Sequence, residues 1–167
     1  MNKSKNKKHN IYKPSLMLQQ KIGKGKPDKE LVDKAQKALD DNKVDFTPLG
    51  LQFLSELEEV LNDLDKNLDT KEFESQKKQL TEPVMELKAN AKMFHYSLVG
   101  ELANIMLSFL ESTTELDPDA LAIVRGHHDS LKVILTKKMK GDGGKNGKVM
   151  IAELTDACSR YHKKKQA

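Results

Sequence analysis

A chain of 167 residues with 37% hydrophobic, 32% charged and only 5% aromatic residues is long enough for one domain with its own core, and too poor in aromatics for a sandwich or barrel. Its net charge of +4 is uneven: residues 1–26 hold eight lysines and no acid, which leaves the remaining body acidic overall. The lone Cys158 excludes an intramolecular disulfide, and no apolar run reaches the roughly 18 residues of a membrane span or follows the basic start as a secretory signal would.

Within these bounds the expected fold is all-α: a single helical bundle of about six helices in the cytoplasm. A basic flexible arm over 1–26 precedes the bundle at 27–162, and a basic tail follows at 163–167. In the arm, Lys3, Lys5, Lys7, Lys8, Lys13, Lys21, Lys24 and Lys26 lack local acids, so their charge suits nucleic-acid phosphates or an acidic partner. Pro27 and Asp28 open the first helix, where Leu31, Val32, Ala35, Ala38 and Leu39 recur at helical spacing. Thr47 and Pro48 form an N-cap and first-turn pair, and the Leu54, Leu57, Leu61, Leu64, Leu68 seam makes the clearest helix in the chain.

Residues 69–80 are polar enough to predict a connection or a short exposed helix, with Thr81, Glu82 and Pro83 starting the next helix through Val84, Leu87 and Ala91. Met93–Tyr96 should bend the chain, and Leu98, Leu102, Ile105, Met106 and Phe109 mark a fourth helix. Asp117 and Pro118 start a fifth, whose apolar face is Leu121, Val124, His128, Leu131, Leu135 and Met139. Glycines 141, 143, 144 and 147 stop it, and the last helix carries Met150, Leu154, Ala157, Cys158 and Tyr161 before the basic tail.

Candidate chemistry is sparse. The stretch DGGKNGKVMIAE resembles a calcium-binding EF-hand loop at Asp142, Asn146, Gly147, Val149 and Glu153, but Gly144 stands where a third oxygen ligand belongs, and Lys145 and Lys148 oppose a dication. A glycine-rich interhelical turn is the simpler expectation, and the spacing around Lys148 does not make a Walker A loop. Histidine-phosphotransfer domains are helical bundles with one exposed mid-helix His. His95 in HYSLVGEL and His127 in HHDSLKVIL are similar, although neither has the family's tight His-x-Leu-Lys-Gly spacing. His127 is expected to be exposed, with Lys92 or Lys132 available to steady a phosphate, whereas His128 falls on the apolar face. Adjacent histidines point about 100° apart on a helix, so the pair does not chelate a metal. Cys158 lies on a core stripe. Met93, Phe94 and Tyr96, three bulky residues within four positions, cannot all face one core, which marks an interaction strip.

A broader resemblance covers most of the chain. The stretches IGKGKPDKELVDKAQKAL, ELKANAKMFHYSLVGELANIMLSFLE and LAIVRGHHDSLKVILTKKMKGDGGKNG are similar to segments of a family of small all-helical bacterial proteins with no assigned activity. It implies one bundle rather than a fusion, and it brings no substrate, cofactor or catalytic residue. The expected function is that of a non-catalytic interaction or regulatory protein, a helical adaptor in bacterial signalling, with no cofactor or metal and another protein as partner. Histidine phosphotransfer in a two-component pathway is the alternative, followed by calcium or nucleic-acid binding.

Overall fold

The structure, a computed structural model, describes residues 28–41 and 44–166. The Lys-rich arm expected over 1–26 lies outside the described residues. Among those described there are six α-helices and no strand: α1 (Lys29–Asp40), α2 (Thr47–Asn67), α3 (Phe73–Ala91), α4 (Ser97–Ser112), α5 (Pro118–Thr136) and α6 (Gly144–Gln166). No helix among them is long and apolar enough to cross a membrane. The described residues fall into two units, 28–41 and 44–166. In the first, Asp28 accepts a hydrogen bond from the amide of Glu30 and starts α1, while Glu30 pairs with Lys34 one turn on at 2.8 Å. Leu31 and Val32 on this helix are exposed. The expected bundle boundary at residue 27 therefore moves to the segment before α2.

In the second unit α2, α3, α4 and α5 make a four-helix bundle, with α2 and α4 each packed between α3 and α5, and α6 laid against both α4 and α5. Short connections force neighbours in sequence to run antiparallel. Cross-pairs record the register of α2 against α5: Asp65 meets Arg125 at 2.6 Å and Glu58 meets Lys132 at 2.9 Å. The leucine seam performs as its spacing dictates, with Leu54, Leu57, Leu61 and Leu64 all buried. They meet Leu80, Val84 and Leu87 of α3, Leu98, Leu102, Met106 and Leu110 of α4, and Leu131, Ile134 and Leu135 of α5 in one core. Burying each such side chain contributes about 1.5–3 kcal/mol.

Three local readings need correction. α3 starts at Phe73, so the helix over 73–80 is neither short nor wholly exposed but continuous with the next, and Pro83 sits inside it rather than at its start. Gln76 and Leu80 are buried together with Pro83, and burial of this first half outweighs the amide hydrogen bond that Pro83 cannot make. Asp69, not Thr81, caps the entry, accepting from the Lys71 amide through a short 3-10 turn at Thr70–Glu72. Thr47 does not cap α2 with its side chain; Asp45 accepts from the Thr47 amide, and the Thr47 hydroxyl lies 3.2 Å from that of Tyr96. The third concerns α6, which begins at Gly144 and runs through the supposed basic tail to Gln166. Asp117 does cap α5, accepting from the Ala120 amide at 2.7 Å.

Gly147 is fixed by close approach. A Cβ there would stand 2.0 Å from the carbonyl oxygen of Asp142, a backbone atom that cannot step aside without moving the turn. Gly100, inside α4, has only Ala91 near such an atom, at 3.9 Å. Chemical unfolding should therefore separate the two: Gly100→Ala gains up to about 1 kcal/mol from helix propensity, whereas Gly147→Ala loses about 3 kcal/mol. Equal effects would mean that α6 is not seated on Asp142 as described.

Candidate functional site

At one end of the bundle two chain reversals close in the same way. After α3, the Tyr96 amide reaches back to the Ala91 carbonyl at 2.9 Å, with His95 at φ 65° between them. After α5, the Met139 amide reaches back to the Ile134 carbonyl at 2.9 Å, with Lys138 at φ 50°. Both are helix C-terminal closures that put a left-handed residue just past the helix and an apolar one after it, here with non-glycine residues at the left-handed position. Gly141 then joins the reversals: its amide donates to the His95 carbonyl at 2.7 Å, and its carbonyl accepts from the Leu98 amide at 2.9 Å. Its own φ of 76° is one that glycine adopts without steric cost.

Aromatic packing fixes the same end from below. Phe94 stacks on Phe46 with ring centroids 5.0 Å apart, and Tyr96 tilts against Phe46 at 5.7 Å. Lys138 pairs with Asp45 at 2.7 Å, and this contact holds the Asp45 carboxyl well below the usual carboxylate range. The segments 44–50, 90–98 and 134–148 thus form one surface carrying Lys92, Lys137, Lys138, Lys140, Lys145 and Lys148 against only Asp45 and Asp142. Of these lysines, Lys138 alone has an ion pair among the described residues. Exposed apolar side chains stand among them: Met93 on the first reversal, and Val44 and Leu49 at the start of α2.

The opposite end has the opposite balance. Segments 62–76, 110–119 and 160–166 hold nine acids and six cations, and three of the four cations of the last segment are engaged. Lys164 pairs with Asp119 at 2.6 Å, Lys165 with Asp117 at 2.6 Å and with Glu115, and Arg160 with Asp156. Among the described residues, cations therefore outnumber acids at the Gly141 end and acids outnumber cations at this one.

The residues singled out from sequence scatter across this frame. Met93 is exposed and Phe94 half-buried; Tyr96 is a correction, being 1% exposed and part of the core. Turning the chain through the left-handed His95 sends Tyr96 inward. His95 itself is exposed, but on a reversal rather than in mid-helix. His127 is also a correction. It has 0% exposure, with Nδ1 donating to the Ile123 carbonyl at 3.0 Å and Nε2 buried without a partner. His127 lies on the same inward stripe as Ala120, Val124 and Leu131, all of them buried, so the buried face of α5 is wide enough to include both histidines. His128 is buried as expected, with Nδ1 donating to Asp129 at 2.9 Å and Nε2 3.9 Å from Glu58.

The supposed ion loop is corrected too. Asn146 and Glu153 lie on α6 two turns apart, and Asp142 accepts from the Gly144 amide to start that helix, so the three do not ring a common point. No group of three or more His, Cys, Asp or Glu side chains placed to hold a metal ion occurs among the described residues. Cys158 is buried, and burial pushes its thiol up to about 11, far from a nucleophilic thiolate. Sequence reasoning missed the lysine cluster at 137–148. Its signal was local charge density, masked by assigning the chain's positive charge to the arm. No family model, curated protein or solved structure matches this chain.

Burial lowers the pKa of His127, with the hydrogen bond to Ile123 opposing only in part. Above pH 6.5 the imidazole is neutral folded or unfolded; below it the unfolded chain takes up a proton that the folded one refuses. Stability should fall as pH drops from 6.5 towards the depressed folded value, and His127→Leu should remove that part of the slope in urea titrations at pH 7.5 and 5. An unchanged slope would place the ring in contact with water.

Proposed function

We propose that this protein is a non-catalytic helical adaptor, cytoplasmic and regulatory, whose lysine-rich end captures an acidic segment of another protein. One observation carries the reading. Five lysines without ion partners stand with exposed apolar side chains on a surface joined by the Gly141 hydrogen bonds, while at the far end acids outnumber cations and Lys164 and Lys165 are paired with them. Such a surface offers charge for steering and specificity and a small apolar centre for affinity. Lys137, Lys140 and Lys145 would meet carboxylates, and Met93 with the exposed edge of Phe94 would take an apolar residue set among them.

The alternatives have less support. Phosphotransfer to His127 requires an imidazole that a receiver domain can reach, and a ring with no exposed surface offers none; His95 is reachable but lacks the mid-helix setting. Calcium binding lacks a ligand ring. Nucleic-acid binding rests on the arm, outside the described residues.

Partner capture by the full chain should weaken at least about tenfold in a Lys137→Glu, Lys140→Glu double variant, and fall with rising salt. Met93→Ser should weaken it as well, with circular dichroism and thermal midpoint unchanged in every case. Proteins retained equally by the wild type and the double variant would remove the lysine-rich end from the reading.

A further inference from the structure

At the acidic end a cleft of about 200 Å³ opens between the α2–α3 and α4–α5 connections, lined by Asp69, Phe73, Gln76, Thr114, Glu115 and Leu116. Gln76 is the unusual member. It is 5% exposed, its amide nitrogen donates to the Asn67 carbonyl at the end of α2 at 3.1 Å, and its carbonyl oxygen is buried with no hydrogen-bond partner. A buried amide oxygen left unpaired costs free energy that a donor entering the cleft would recover. The carboxylates lining the cleft are Asp69 and Glu115. Each spends one oxygen on a local contact, Asp69 on the Lys71 amide and Glu115 on Lys165. A carboxylate has acceptor capacity beyond one such bond. Phe73 and Leu116 add apolar wall, and Phe73 already receives the Lys77 ammonium over its ring at 4.7 Å. The lining side chains thus supply acceptors and apolar surface, and the neighbouring cations are Lys77 over Phe73 and Lys165 on Glu115.

We propose that this cleft binds a primary ammonium group on a short alkyl chain, separately from whatever the lysine-rich end captures. The ammonium has three donors and no acceptor, which matches the amide oxygen of Gln76 and the carboxylates of Asp69 and Glu115; the methylenes lie along Phe73 and Leu116. An anion would face two carboxylates and an unpaired carbonyl, and a purely apolar ligand would leave the Gln76 oxygen as it stands. The same chemistry is available from a free alkylamine or from the side chain of a lysine in a partner.

The test is a titration of the uniformly ¹⁵N-labelled full chain with n-butylamine, followed by amide chemical shifts, with sodium butyrate as the opposite charge on the same chain. Saturable shifts confined to 69–76 and 113–116 with butylamine and absent with butyrate are expected. Asp69→Asn keeps the acceptor that starts the turn and should weaken binding about tenfold; Gln76→Met, close in shape but without the acceptor, should do the same. Nα-acetyl-lysine N-methylamide separates the sources: equal binding admits a partner's lysine, and binding of butylamine alone restricts the site to free amines. Absence of saturable shifts, equal shifts with butyrate, or affinity unchanged in both variants would overturn the proposal.

Discussion

The two backbone hydrogen bonds of Gly141 are the constraint on which the rest of the lysine-rich end depends. Without them the α3–α4 and α5–α6 connections would be separate loops, each free to move and each carrying a few lysines of no special consequence. With them the His95 carbonyl and the Leu98 amide are satisfied, α4 receives a partner for a first-turn amide, and α6 starts directly above α4. Gly147 then lets α6 come down on the Asp142 carbonyl. The fifth helix of the bundle unit and the charged surface therefore share one origin.

On α5 the inward stripe runs through Ala120, Val124, His127 and Leu131, and His128 lies beside it, 3.9 Å from Glu58 of α2. Both histidines are buried, and the imidazole most readily imagined as reactive becomes a neutral packing group hydrogen-bonded to its own helix. Helix α6 brings Tyr161 edge-on to Phe109 at 5.3 Å, and its basic last turns into contact with Glu115, Asp117 and Asp119. Those pairs lie at the surface, where each contributes at most about 1 kcal/mol. Their larger effect is to use up positive charge at that end and leave the molecule electrically lopsided.

Much of the fold is legible in the residues because apolar spacing reports burial directly. The leucine seam of α2, the stripe of α4 and the Asp117–Pro118 start of α5 behave as their patterns dictate. Pro83 misleads because its usual place is a first turn, and only the burial of Gln76 and Leu80 ahead of it reveals a longer helix. Glycines 144 and 147 mislead in the same way: their composition signals a loop, but Gly147 is present for close packing inside a helix. The candidate surface was half legible. Met93 and Phe94 stand out by crowding, but the lysines that frame them come from a segment over forty residues away, and only the Gly141 contact brings the two together. Tyr96 and His127 were misplaced because helical angle alone does not say how many neighbours a helix has.

The central claim is that the surface joined by Gly141 is where a partner binds. Hydrogen–deuterium exchange of the full chain, free and with its captured partner, tests it most directly, because it reads the backbone of both reversals at once. Added protection concentrated in 92–98 and 137–148 is expected. Protection confined to 69–76 and 113–117, or spread evenly along the helices with those reversals unchanged, would contradict it.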